Sequence, residues 1–213
     1  IPHNVDAELR TKLEKVTYGK MTFENVCGDV DVRNQAVHLK KLTMRGLDAD
    51  MQATVVYRAR QKSRGYAGFD FRLKGINVGK LVDFAPALDT IVPMLRSFKG
   101  IVNFEAAAEA VLDSNLNIKI PTLRSAMHIK GDSLVLMDGE TFSEISKMLL
   151  FKNKKRNVFD SIAVNLIVEN GNVTVYPFLV QIDRYKAAVG GTQGLDMNFN
   201  YHISILKSPI PFK

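Results

Sequence analysis

The sequence has a single cysteine, Cys27, and no long uninterrupted apolar stretch. One cysteine cannot form an intramolecular disulfide or supply a cysteine-based zinc site. No window approaches the ~18 consecutive apolar residues that a membrane-spanning helix needs. The motifs of P-loop nucleotide-binding proteins, serine hydrolases, zinc metalloproteases and protein kinases are also missing. These absences exclude a disulfide-stabilised scaffold and leave the case for an enzyme weak.

The composition is that of a globular protein. The 213 residues are 46% hydrophobic and 24% charged, and the formal net charge is +7. This length is sufficient for one large domain or two small ones, each with a buried core. Because the sequence begins with Ile1 rather than methionine, we expect it to be a piece of a longer protein.

Apolar and polar residues alternate with a period of two along most of the chain. The clearest example lies near the end of the sequence, and its apolar members are Leu195, Met197, Phe199, Tyr201, Ile203 and Ile205. Strict alternation is typical of antiparallel strands with one apolar face and one solvated face. A hairpin is predicted at Asn170-Gly171, and Gly190-Gly191 is expected to loosen the chain before the last strand.

Two segments follow helical spacing instead. The first is about 78–98, with Asn77 as N-cap and with Pro86 and Pro93 expected to kink or split it. The second is about 141–151, which opens with a capping-box pattern. The fold class predicted is therefore α+β: a curved, mostly antiparallel β-sheet, groove-like or open-barrel-like, with two main helical segments. We predict a single domain over 1–213, with a weak subdivision into 1–75 and 76–213.

Basic residues are clustered at two places in the sequence. These clusters could contact anionic lipid head groups or nucleic-acid phosphates, or they could simply be solvated turns. A nucleic-acid surface would require both clusters to lie on one face, and no known RNA- or DNA-binding signature supports it. The candidate head-group residues are Arg58, Arg60, Lys62, Arg64, Lys152, Lys154, Lys155 and Arg156.

The apolar face of such a sheet must be covered by something. The two helical segments could close it into an ordinary core, or they could leave an apolar trough that holds acyl chains. The residues that would face this trough are in the apolar phase of the regular strands. They are Val102, Phe104, Ala106, Ile118, Ile120, Met127, Ile129, Val164, Leu166, Met197, Phe199 and Ile203.

Four segments of the chain form a combination of motifs found in a known family. They are Met94–Gly100 before a long strand, Lys130–Glu140 with the pattern G-x-x-L-x-L-x-D-G, the hairpin Val168–Val173, and Ala188–Gly191 before a strand beginning Leu195-Asp196-Met197. In these segments the chain resembles the C-terminal region of the AsmA family of bacterial envelope proteins, particularly its Bacteroidetes-type members.

The resemblance implies a location and a function. Family members are anchored in the inner membrane by an N-terminal helix, which this chain lacks, and they extend into the periplasm. They are linked to outer-membrane biogenesis and are similar to groove-forming proteins that move lipids. The resemblance therefore implies a non-enzymatic periplasmic protein without a cofactor. Its partner would be phospholipid or another envelope lipid, which it would bind or conduct along the apolar sheet face. The alternative is a periplasmic scaffold that binds envelope assembly factors through an open sheet edge.

Overall fold

The computed structural model describes residues 5–61, 64–136, 158–182, 185–194 and 198–207. Over most of this part of the chain, the segments in which apolar and polar residues alternate form β-strands. Twelve strands in this part belong to one sheet. In chain order they are β1 (Ala7–Tyr18), β2 (Met21–Arg33), β3 (Ala36–Gly46), β4 (Ala49–Gln61), β5 (Arg64–Asn77), β6 (Phe98–Lys99), β7 (Ile101–Leu112), β8 (Arg124–Leu136), β9 (Val158–Glu169), β10 (Asn172–Ile182), β11 (Tyr185–Gly194) and β12 (Phe199–Lys207).

The strands pair almost entirely with their neighbours in sequence. The order is β1-β2-β3-β4-β5-β7-β8-β9-β10-β11-β12, and β6 pairs with β8 outside this path. The pairs β1/β2, β2/β3, β3/β4, β4/β5, β6/β8, β10/β11 and β11/β12 are antiparallel. The prediction of a mostly antiparallel sheet is confirmed.

The hairpin predicted at Asn170-Gly171 connects β9 to β10. Asn170 has φ 50° and Gly171 has φ 74°, and positive φ at both central residues defines a type I′ turn. Asn and Gly tolerate this conformation better than other residues, which is why the dipeptide predicts the turn.

The helical prediction requires correction. The described part of the chain has one α-helical stretch, made of α1 (Val78–Phe84), α2 (Leu88–Ile91) and a 3₁₀ turn at Pro93–Ser97, and a separate 3₁₀ turn at Ile120–Thr122. Asn77 caps α1 as predicted, because its Oδ1 accepts a 2.9 Å hydrogen bond from the Gly79 N–H. The two prolines divide the stretch into short pieces. Two main helical segments are therefore not borne out, and the predicted helix at 141–151 lies outside the described residues.

The chain divides into two compact units. Unit 1 comprises Ile1–Ile76, Asn103–Met127 and Ile167–Gly171, and unit 2 comprises Asn77–Val102, His128–Leu166 and Asn172–Lys213. The most deeply buried side chains of unit 1 include Met51, Leu73, Ile76 and Val168. Those of unit 2 include Val78, Leu81, Val82, Val102, Leu166 and Val173.

The expectation for Gly190-Gly191 was wrong. Both glycines lie inside β11 and do not loosen the chain before the last strand. A Cβ on Gly191 would overlap the carbonyl oxygen of Asn200 and would lie 2.7 Å from the Tyr201 Cα. Glycine is needed here because the backbone of β12 approaches closely.

This close approach predicts a destabilising effect of Gly191→Ala. We expect a loss of about 1–3 kcal/mol in the free energy of unfolding, because the added methyl group meets backbone atoms that cannot rotate away. The matched control is Gly68→Ala in β5, where the nearest atom to a new Cβ lies 3.9 Å away. Urea unfolding of both variants gives the comparison, and an equal effect at the two positions would contradict the steric explanation.

The loop after β7 is organised by one carboxylate. Asp113 Oδ1 accepts hydrogen bonds from the N–H groups of Asn115 (2.8 Å) and Asn117 (2.9 Å), and its Oδ2 accepts one from Asn117 Nδ2 (3.1 Å). The loop returns the chain so that Ile118 forms a bridge with Leu112. The hydrogen bonds from Asn117, first from its backbone and then from its side chain, lower the pKa of Asp113.

A lowered pKa in the folded protein predicts a specific pH dependence. The carboxylate stabilises the fold above its ordinary pKa of 3.8, and this contribution is lost as the pH falls through the lower folded value. We therefore expect Asp113→Asn to unfold more easily than the unchanged protein at neutral pH, with the difference shrinking in acid. Urea unfolding across this pH range measures it. A difference that persists unchanged in acid would exclude the charge as its cause.

Candidate functional site

An apolar pocket of about 320 Å³ lies within unit 2. Its walls come from the helical stretch, from Phe98 of β6 and from β8 to β12. The lining residues are Val92, Leu95, Phe98, Ile129, Gly131, Leu134, Ile162, Val164, Leu166, Val175, Phe178, Val189, Tyr201 and Ile203. Apart from the hydroxyl of Tyr201, these side chains carry no polar atom.

The pocket passes from buried residues to an exposed one. Leu166 on β9 is 1% exposed, and Leu134 on β8 is 4% exposed. On β12, in contrast, Ile203 is 68% exposed. A branched aliphatic side chain so open to water, beside a buried apolar wall, means that the described part of this core is not closed on the β12 side.

Strand alternation explains most of the lining. Ile162, Val164 and Leu166 are alternate residues of β9 and share one face, as do Tyr201 and Ile203 of β12. Their positions follow directly from the period-two pattern. The pairing of Val189 with Ile203 then brings β11 into the same wall.

Two irregularities add further side chains to the pocket. Ser133 has φ 58° and interrupts the alternation of β8, so that Leu134 follows Gly131 on the pocket side. In β10 the register with β11 shifts between Val175 and Phe178, which lets two residues three positions apart line the same wall.

Tyr201 is the one polar group of the pocket lining. Burial raises the pKa of its phenol above the ordinary value of 10.0, so the group is neutral at physiological pH. Its hydroxyl oxygen lies 3.5 Å from Oε1 of Gln193, a buried residue of β11. The described residues of the pocket lining therefore present no charge to a ligand.

The predicted trough residues fall into distinct places. Ile129, Val164, Leu166 and Ile203 line the apolar pocket. Val102 is buried in unit 2. The other predicted residues do not line this pocket in the described structure: Phe104, Ala106 and Met127 are buried in unit 1, Ile118 and Ile120 are half-buried after β7, Phe199 begins β12, and Met197 lies outside the described residues.

Several lining residues were missed from sequence. Val92, Leu95 and Phe98 were assigned to a helix without a role in the site. Leu134 and Phe178 do not follow the period-two alternation of their strands, because β8 and β10 are irregular before them. No residue pattern in the sequence predicts these irregularities. Val189, in contrast, could have been found from its pairing with Ile203 once the last hairpin was placed.

Unit 1 carries a second apolar surface on its part of the sheet. The register places five side chains in one row across β1 to β5: Leu9, Val30, Leu39, Val55 and Phe69. Leu9 is 58% exposed, and the other four are half-buried. The neighbouring row on the opposite face begins with Glu8, Asp31 and His38. The faces of this sheet therefore differ in polarity, as the alternation predicts.

A polar cleft of about 680 Å³ lies on the opposite side of unit 1 and contains the exposed side chain of Arg58. Within it the Tyr66 hydroxyl donates a hydrogen bond to Glu109, and Arg124 Nη1 lies 3.4 Å from Oε1 of the same carboxylate. Asp70 and Glu169 also line the cleft. Because three carboxylates accompany two guanidinium groups, the cleft is not an anion site.

The other predicted head-group residues are only partly described. Arg60 and Arg64 lie in β4 and β5. Lys62 and the second basic cluster, Lys152, Lys154, Lys155 and Arg156, lie outside the described residues. Among the described residues there is no group of three or more His, Cys, Asp or Glu side chains placed to hold a metal ion.

Comparisons with protein-family models, with curated proteins and with solved structures find no match for this chain. Within the described ranges, none of the helices has both the length and the apolar character needed to span a membrane. The apolar pocket of unit 2 and the two faces of the sheet in unit 1 are therefore the features that bear on function.

Proposed function

We propose that this chain is an AsmA-like, non-enzymatic domain of the bacterial envelope that binds the acyl chains of phospholipid along its apolar sheet face. The observation that carries the proposal is the apolar pocket of unit 2, whose lining has no charged side chain and whose β12 wall is open to water. The sequence resemblance supports the periplasmic location and the role in outer-membrane biogenesis.

The chemistry of the pocket suits a hydrocarbon chain. Each methylene group that moves from water into such a site contributes about 0.8 kcal/mol. The neutral phenol of Tyr201 adds no charge that an acyl chain would have to desolvate. Ile203 is exposed, so an acyl chain could enter the pocket beside it without displacing the buried side chains of β8 and β9.

The apolar row of unit 1 supports the same proposal independently. Aliphatic and aromatic side chains, half-buried in β2 to β5, continue across five strands without a charged residue in the row. In the neighbouring row, Glu8 and Asp31 lie on the opposite face instead. A sheet with one apolar face suits an amphiphilic ligand, whose acyl chains would lie on the apolar face while its head group stays in water.

The proposal predicts that filling the pocket weakens lipid binding. We expect Val164→Trp to reduce retention of a fluorescently labelled phosphatidylethanolamine on gel filtration at least tenfold, because the indole occupies the space of the chain. The matched control is Val56→Trp, at a half-buried valine of β4 that lines the polar cleft. Mass spectrometry of organic extracts of the unchanged protein should also detect phospholipid.

Two results would contradict the proposal. The first is an unchanged protein that neither carries phospholipid nor retains the label. The second is an equal loss of binding in the two tryptophan variants at equal stability, since only one of them fills the pocket.

The alternative function, a periplasmic scaffold that binds assembly proteins, is favoured by a different observation. The edge strand β12 exposes Ile205 and Leu206 in addition to Ile203. A sheet edge of this kind can accept a strand from another protein. Failure of both lipid assays would favour this alternative.

A further inference from the structure

The strand β12 is an edge strand with little protection. It is the last strand in the sheet order, and the strand to which it is paired in the described structure is β11. Ile203, Ile205 and Leu206 are 68%, 44% and 58% exposed. Lys207 is the one charged residue among its nine. Natural edge strands usually avoid edge-to-edge pairing with charged residues, prolines or bulges, and most of β12 has none of these.

The hydrogen-bond pattern shows which backbone groups of β12 face away from β11. The Gly194 N–H donates a 2.7 Å hydrogen bond to the carbonyl of Asn198, and the register continues in step through Thr192↔Asn200 and Gly190↔His202. Alternate residues of an antiparallel strand direct their backbone groups to opposite sides. Asn200, His202 and Ser204 therefore bond to β11, while Ile203 and Ile205 direct their N–H and C=O groups outward. The register with β11 shifts between Ile205 and Lys207.

The other end of the sheet order is different. β1 carries five charged residues among twelve, namely Glu8, Arg10, Lys12, Glu14 and Lys15. Charged side chains on an edge strand oppose edge-to-edge pairing. β1 has this protection along its length, and β12 has it only at Lys207.

We propose that β12 pairs antiparallel with β12 of a second copy of this chain, with Ile203 on the two-fold axis. Ile203 is the central residue of the nine, and this register pairs the regular part of the strand around it, Tyr201–Ile205. It joins the outward-facing backbone groups of Ile203 to their symmetry equivalents. Opposite residues are then Tyr201 with Ile205 and His202 with Ser204, twice each.

Side-chain complementarity supports a second copy as the partner. The register keeps the apolar phase of one strand beside the apolar phase of the other, as sheet pairing requires. Lys207, the one charged residue of β12, lies beyond the register shift, so no two like charges are opposed over Tyr201–Ile205. Pairing through one edge strand buries a small interface, and we expect a reversible, concentration-dependent dimer.

Disulfide trapping tests the register. In a hydrogen-bonded antiparallel pair, opposite Cα atoms are about 5.5 Å apart, which is within the range that a disulfide spans. In a Cys27→Ser background, Ile203→Cys should therefore give a cross-linked dimer under mild oxidation. The matched control is Ile205→Cys. Its symmetry equivalent lies four residues away along the strand, about 13 Å, so at least tenfold less cross-linking is expected.

Sedimentation equilibrium tests the interface without cross-linking. The unchanged chain should show a monomer–dimer equilibrium. Ile203→Lys should raise its dissociation constant at least tenfold, because it places two ammonium groups at the axis. Leu9→Lys, at a similarly exposed leucine of β1, should leave the equilibrium unchanged. Ile203→Pro should also abolish the dimer, since it removes an outward N–H without removing a bond to β11.

Several outcomes would overturn the proposal. They are a chain that stays monomeric at every concentration, equal cross-linking through positions 203 and 205, and a dimer that survives Ile203→Lys. Assembly into species larger than dimers that Leu9→Lys disrupts would assign the contact to β12 with β1 instead.

Discussion

The structure depends on keeping apolar side chains on one face of the sheet from strand to strand. A shift of one residue in any strand would turn its whole apolar set to the opposite face. The row Leu9, Val30, Leu39, Val55 and Phe69 shows the constraint satisfied across five strands of unit 1. Burial, the polarity of the two faces and the lining of the pocket all follow from it.

Local irregularities preserve this constraint where the strands bend or gain a residue. Asn25 and Lys41 have φ near 52°, and each lies at a register shift between β2 and β3 or between β3 and β4. A left-handed conformation costs an ordinary residue roughly 1–2 kcal/mol. This cost is offset because the extra residue at each bulge returns the apolar side chains that follow it to the same face of the sheet. At Ser133 the same device brings Leu134 to the pocket.

Much of this sheet could be predicted from sequence, and the failures have identifiable causes. Period-two alternation predicts the strands, Asn170-Gly171 predicts the type I′ turn, and Asn77 predicts the start of α1. Pro86 and Pro93 split the segment 78–98, as expected. The prediction of two main helical segments failed because helical spacing of apolar residues does not show how short the pieces between the prolines become. Gly190-Gly191 failed because glycine is used in loops and also where neighbouring strands approach closely, and only tertiary contacts separate the two uses.

The pocket could be predicted only in part, for a related reason. The period-two alternation predicts the positions of Ile129, Val164, Leu166 and Ile203. It does not predict Leu134 and Phe178, because each follows an irregularity in its strand. Sequence alternation also cannot distinguish a buried position from an open one. Leu166 and Ile203 have the same pattern in the sequence but are 1% and 68% exposed. The difference arises from position in the sheet order, because β9 has a neighbour on each side and β12 is at the end.

The exposure of Ile203 links the two proposals without making them compete. Its side chain lines the apolar pocket, and its backbone N–H and C=O point along the sheet toward the free edge of β12. These directions are perpendicular in a pleated strand. A ligand on the apolar face and a second strand at the edge would therefore use different atoms of the same residue. Pairing at the edge would extend the apolar face of unit 2 and would reduce the exposure of Ile203 to water. The same residue that leaves the core open could thus be covered from the face by hydrocarbon and from the edge by a symmetry-related strand.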